Sequence, residues 1–157
     1  MLNKSQSIFE LLIAISIFSI AFVSLIVLAN SYLNALKTMK ERAIANFLAQ
    51  EGLELIIAKR NIEKIKDPNL SLLDILSPGE YCIDYNLTLN KKTDHCSLYI
   101  DDKGFYTHNS TPTSTIFERV ISISMSSIAG QDYVIVTSTV QFYNQKIELT
   151  TILTEWF

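Results

Sequence analysis

The chain is poor in the residues from which most reactive sites are built. Of its 157 residues, two are cysteine, two histidine, four glycine and three proline. Two cysteines and two histidines cannot supply a Cys/His zinc framework or a haem-attachment motif. The glycines form no phosphate-cradling loop, and no G-x-S-x-G surrounds any of the many serines. Lys+Arg 13 against Asp+Glu 16 leaves a net charge of −3, with no basic cluster dense enough for a nucleic-acid footprint. These absences point away from catalysis, from a cofactor and from a small-molecule substrate.

What the chain has in excess is apolar surface at one end. No charged residue stands between Leu11 and Leu36, and residues 11–29 are apolar except for Ser16, Ser19 and Ser24. As a helix rising about 1.5 Å per residue, that run spans roughly 28 Å, the thickness of a bilayer core. A soluble core helix of this length would carry a polar stripe. Serine is tolerated in lipid because its hydroxyl can bond back to the preceding turn. Lys4 and the α-amino group lie on the short N-terminal side, so the positive-inside preference keeps that side cytoplasmic and the remainder outside. An oxidising compartment would then let Cys82 and Cys96 pair. Such a bridge closes a loop of about 15 residues and is worth about 3 kcal/mol in the chain-entropy model.

Two ordinary readings of the N-terminus fail. A cleavable secretory signal has an apolar region of about 7–15 residues, and the run here is longer, although Val27-Leu28-Ala29 could serve as its cut. A plain single-span anchor leaves Glu10 unexplained. Its carboxylate follows Ile8 and Phe9 at the mouth of the apolar run. An unpaired charge inside a bilayer costs about 2.5–3.5 kcal/mol, less near the interface, so a partner is implied.

The segment Lys4-Ser5-Gln6-Ser7-Ile8-Phe9-Glu10-Leu11-Leu12-Ile13-Ala14-Ile15 resembles the class III signal of type IV pilins and pseudopilins. That resemblance implies a leader of residues 1–5, cut between Ser5 and Gln6 by a prepilin peptidase, and N-methylation of the new Gln6 amine. It also implies that Glu10 pairs with the N-terminal amine of a neighbouring subunit in a filament. An opposite charge within a few ångström offsets a desolvation that a lone carboxylate could not bear. Ser5 and Gln6 stand where the family prefers Gly and then Phe or Met. Ser19 and Val27 stand where major pilins carry helix-breaking Gly and Pro. The first departure bears on how fast the leader is cut; the second, which keeps the segment helical through the membrane, suits a minor component or a pseudopilin. The implied partners are other pilin subunits, the peptidase, the assembly platform and the membrane. The chain would be a single-pass protein of the cytoplasmic (inner) membrane, later part of an extracellular filament. The alternatives are a type II secretion pseudopilin and a single-span membrane-anchored binding protein.

The remaining chain reads as helix, then sheet. No proline precedes Pro68, and the helical pattern continues to Asp67-Pro68-Asn69. On a 3.6-residue wheel Leu36, Met39, Ala43 and Phe47 share a face that Ala58, Ile62 and Ile65 rejoin, while Leu53 and Ile56 fall elsewhere. A helix apolar on two sides needs two partners, its own sheet and something else. Gly52 lies mid-helix at a cost of about 1 kcal/mol relative to Ala and suggests a bend. Phe47-Leu48-Ala49-Gln50-Glu51-Gly52-Leu53-Glu54 resembles a segment of minor-pilin-like proteins.

Ser71-Leu72-Leu73-Asp74 has the spacing of a capping box, and Pro78-Gly79 ends that turn. Beyond it the period becomes two, predicting strands over residues 81–85, 97–100, 104–107, 117–125, 134–142 and 147–153. Asn144-Gln145 reads as the hairpin turn, and Trp156 and Phe157 as a docked terminal strand. The fold class is α+β, a long helix with a membrane half and an amphipathic half packed on an antiparallel meander, like a pilin. Its segments are residues 1–5, 6–31, 32–67 and 68–157. Asp94, His95, Asp101, Asp102 and His108 are the one grouping with metal-type side chains, and Asp101-Asp102-Lys103-Gly104 reads as a turn. Asn69-Leu70-Ser71, Asn86-Leu87-Thr88 and Asn109-Ser110-Thr111 match a glycosylation sequon without distinguishing it from chance.

Overall fold

A computed structural model describes residues 2–93, 95–109, 113–128 and 131–154, with side chains from Ile8 onward except those of residues 128, 131 and 132. Trp156, Phe157, Asp94, and the side chains of Ser5 and Gln6 lie outside the described set. The chain divides into two units, Met1–Arg42 and Ala43–Phe157. Helix α1, Leu2–Lys66, supplies all described structure of the first and the opening of the second.

In the first unit every described side chain from Ile8 through Lys40 is exposed. Ser16, Ser19 and Ser24 donate their hydroxyls to the carbonyls of Leu12, Ile15 and Ile20 at 2.7, 2.7 and 2.8 Å. The only polar side chains of the run are therefore satisfied within it, as the serine spacing predicts.

In the second unit α1 packs on an antiparallel sheet. After the helix stops, α2 (Leu72–Ile75) is capped by the expected box: Asp74 N donates to Ser71 Oγ at 3.2 Å, and Ser71 N to Asp74 Oδ2 at 3.1 Å. Seven strands follow among the described residues: β1 Gly79–Ile83, β2 Leu89–Lys91, β3 Ser97–Ile100, β4 Tyr106–Thr107, β5 Thr113–Ile128, β6 Gln131–Phe142 and β7 Gln145–Thr154. Strand β5 is longer than residues 117–125, and β2 is an addition to the sequence reading. Strand β4 loses the two residues around Gly104, which turns at φ 86°.

The meander is real for β5–β6–β7, but the other edge of β5 is shared. Ser97 faces Glu118 and Ile100 faces Thr113, while Tyr81 faces Ile121 and Gly79 faces Ile123. A strand of 16 residues is long enough to hold two short ones end to end. The Cys82–Cys96 disulfide, Cα atoms 5.5 Å apart, joins β1 to the residue before β3 and so staples those two strands where their β5 partners meet. The hairpin turn sits one residue earlier than predicted. Phe142 pairs with Gln145, so Tyr143 and Asn144 make the turn, with Tyr143 at φ 49° where glycine is the usual occupant.

The helix meets the sheet through small residues. Ala45, Leu48, Ala49, Gly52 and Ile56 are buried, whereas Phe47 and Ile65 are 70% and 80% exposed. The helix is apolar on two sides, as expected, and the sheet takes the side of Ile56. The stripe picked out by bulk faces outward because the sheet-facing side must be narrow for close approach. Gly52 shows the reason directly. A Cβ there would lie 2.6 Å from Ser138 Oγ, 2.9 Å from Ile121 Cδ1 and 3.2 Å from Arg119 Cδ. The glycine serves close contact.

Gly52→Ala is expected to destabilise the folded chain by about 1–3 kcal/mol through overpacking. At an exposed helix position the same change would stabilise by about 1 kcal/mol. Denaturant unfolding of the full chain in detergent distinguishes the two signs, and Ser138→Gly in the same background should recover part of the loss. Stabilisation by Gly52→Ala would refute the close contact.

Candidate functional site

Two sets of residues carry charge where apolar surroundings make charge expensive. The first is Glu10, at the head of the uncharged run. Its side chain is exposed and makes no hydrogen bond or ion pair among the described residues. From Leu11 to Leu28 the large apolar side chains are 45–70% exposed, and the helix is long and apolar enough to cross a membrane. The second unit bears, by contrast, a buried core.

The second set lies inside that core. Two apolar clusters fill the space between α1 and the sheet. One contains Ile56, Ile121, Ile123, Val134 and Val136; the other contains Ala45, Leu48, Ala49, Phe117, Val140 and Phe142. Along each element a polar or small residue separates them: Gly52 on α1, Arg119 on β5 and Ser138 on β6. Arg119 is 0% exposed. Its Nη1 donates to Leu48 O at 3.2 Å and to Glu51 Oε2 at 2.9 Å, and Nη2 donates to Ile83 O at 2.9 Å. One guanidinium thus ties strand β5 to α1 and to the end of β1. Burial lowers the Arg119 pKa and Glu51 opposes that shift; arginine stays a cation at any ordinary pH. Burial, with Glu51 nearby, raises the Tyr106 phenol above its usual value.

Beside this pair, Ile44, Phe47, Leu48, Glu51 and Tyr106 line an open groove of about 360 Å³. Ile44, Phe47, Leu48 and Glu51 are spaced as one helical face, so the apolar residue left outward by the sheet also forms a wall here.

The sequence-predicted site residues fall as follows. Ser5 and Gln6 are helical in α1, Glu10 is on the same helix one turn after Gln6, and Cys82 and Cys96 are bonded. Cysteine pairing and the exposed apolar helix stand as read. The Asp/His grouping does not converge. The Asp101 carboxylate accepts from Lys103 N at 2.9 Å and Phe105 N at 2.8 Å, which is turn chemistry. His95 faces Glu118 at 3.4 Å, and His108 bonds the Ser97 carbonyl at 3.1 Å. No group of three or more metal-type side chains forms among the described residues.

Sequence reasoning missed Arg119, Glu51 and Asp84. A signal for the first existed. Phe117, Arg119, Ile121 and Ile123 share one strand face, so the arginine falls in a run of core positions. No family model matches the chain, and no similar chain is found among curated proteins or solved structures.

Arg119→Leu is expected to cost about 3 kcal/mol, because it leaves the Glu51 carboxylate and two carbonyls without their donor. Glu51→Gln keeps an acceptor and should cost about 1 kcal/mol. Chemical-denaturation midpoints of both variants test the order. Equal, small losses would mean that the guanidinium does not organise the core.

Proposed function

We propose that the chain is a minor subunit of a type IV pilus, a structural protein whose work is assembly. The observation that carries this reading is the uncharged exposed helix headed by a single carboxylate and continuous in sequence with an α+β unit. Exposed apolar side chains over that length find partners in lipid, or in the helices of other subunits. Glu10 finds neither in lipid. A charge in that position is useful only if an opposite charge arrives, and an N-terminal amine at Gln6 supplies one of the right sign.

The mechanism follows in three steps. The helix inserts with its N-terminus cytoplasmic. A prepilin peptidase removes residues 1–5, and the Gln6 amine is methylated. The assembly platform then draws the chain from the bilayer into a filament, where Glu10 meets a neighbour's amine as apolar helices pack together. Methylation leaves the amine cationic, so the pairing survives it. The Arg119–Glu51 pair and the Cys82–Cys96 bridge hold the outward-facing unit rigid during extraction. A secretion pseudopilin would share every one of these features and differ in what the filament moves.

Intact mass and N-terminal sequencing, on chain produced beside its cognate peptidase, test the reading. The expected product begins at Gln6 and is heavier by one methyl group. A start near Asn30 would identify a secreted domain and overturn the filament. A Met1 start, unchanged in Ser5→Gly, would leave a plain anchor. Glu10→Val is expected to abolish incorporation into filaments while membrane insertion persists. An anchored binding module would instead be displayed normally with Val at that position.

A further inference from the structure

His108 is a part-buried titratable group that assembly does not use. It follows β4 and is held from two directions. Its Nδ1 bonds the Ser97 carbonyl of β3 at 3.1 Å, and its backbone N donates to Asp84 Oδ1, just after β1, at 2.6 Å. Thr107 Oγ1 donates to the same Asp84 oxygen at 3.2 Å. The other ring nitrogen, Nε2, is sealed from solvent and has no hydrogen-bond partner among the described residues. The charged groups facing the ring are Asp84, from the β1–β2 connection, and Arg119, from β5. The Arg119 guanidinium is itself committed to Ile83, Leu48 and Glu51.

We infer that His108 is an acid-released clasp, which fastens the β3–β4 hairpin to the β1–β2 turn while neutral and lets that corner open when protonated. The neutral ring with its proton on Nδ1 satisfies Ser97 and leaves a bare Nε2 in apolar surroundings, which is cheap. The imidazolium would carry a second N–H whose nearby acceptor, the Ile83 carbonyl, is already taken by Arg119 Nη2, and would set a second cation beside Arg119. Asp84 attracts the imidazolium, but its buried oxygen already accepts two hydrogen bonds. Burial is the largest influence and lowers the His108 pKa; the Ser97 bond, Asp84 and the Ile83 carbonyl oppose it, and Arg119 adds to it.

The direction of the pH effect follows. A histidine whose pKa is depressed in the closed corner binds its proton more readily when the corner opens. The clasp is intact above the ordinary histidine value of about 6.5, and weakens as pH falls from there towards the depressed value. Each unit of depression makes opening about tenfold more favourable once both forms are protonated. Strand β6 pairs with β5 from Phe117 to Ile128, and with β7 from Tyr133 to Phe142, without His108, so that part of the sheet should stay closed.

With only two histidines, one NMR titration of the full chain in detergent resolves both rings. His108 is expected to titrate below the ordinary histidine value of about 6.5. Hydrogen exchange, corrected for its intrinsic pH dependence, should show residues 97–107 opening several-fold more at about pH 5 than at about pH 7.5, with β6 unchanged. His108→Asn keeps a nitrogen donor for Ser97 and cannot take up the proton, so its opening should be independent of pH in this range. The clasp is overturned if His108 titrates at or above about 6.5, or if His108→Asn opens with acid as the parent does. Should that variant fail to fold, the titration of the unmodified chain alone decides between the two results.

Discussion

A cation buried between a helix and a sheet dictates how closely the two can approach and what must surround them. Arg119 is that cation. Its three hydrogen bonds come from two different elements, so neither α1 nor β1 can shift against β5 without breaking one. Glu51 must be on the helix to balance the charge, and its half-exposed position limits the desolvation cost. Gly52 must follow because the guanidinium stem, Ile121 and Ser138 occupy the space a Cβ would fill. The two apolar clusters on either side are then consequences, each completing the packing that the polar waist interrupts. Adjacent Glu51 and Gly52 therefore act together, one supplying charge and the other room.

Much of the fold was legible because the signals are local. An uncharged run, serines that close on their own helix, a capping box and period-two strands depend on residues a few positions apart, and each reappears in the structure. The disulfide was legible from compartment rather than geometry. The features that were not legible depend on contacts distant in sequence. Nothing local in β1 or β3 says that they share one edge of β5, since that requires knowing that β5 runs to 16 residues. The wheel misled for a physical reason. It weights large side chains, and the face that packs best here is built from Ala45, Ala49 and Gly52. Arg119 was readable in principle from its phase among Phe117, Ile121 and Ile123; its partners were not, being 68 and 71 residues away along the chain at Glu51 and Leu48.

The same helix obeys two sets of rules. Beyond Ala43, small residues, one glycine and one carboxylate are each explained by something across the interface, and bulk is turned outward at Phe47. Over residues 11–29 the side chains are apolar on all sides apart from three serines bonded within the helix, and no described residue covers them. A segment shaped by its own domain shows asymmetry, as the later part of α1 does. Uniform bulk instead suits an environment that is apolar all round, which lipid is and water is not.

The two carboxylates of α1 that adjoin apolar surroundings then make an instructive contrast. Glu51 sits 2.9 Å from a guanidinium supplied by its own chain. Glu10 heads the most apolar stretch of the molecule and has no such cation among the described residues. A charge bordering hydrocarbon carries a cost, up to about 2.5–3.5 kcal/mol at the bilayer centre and less towards the interface. Neutral replacements are chemically simple at that position, as the surrounding Ile8, Phe9, Leu11 and Leu12 illustrate. No described residue supplies an offsetting cation, and under the proposed assembly a neighbouring subunit does. A free N-terminus on a neighbouring copy of the same helix is one that arrives at that depth by construction. This is the physical case for assembly, and it rests on Glu10 rather than on apolarity, which a simple anchor would share.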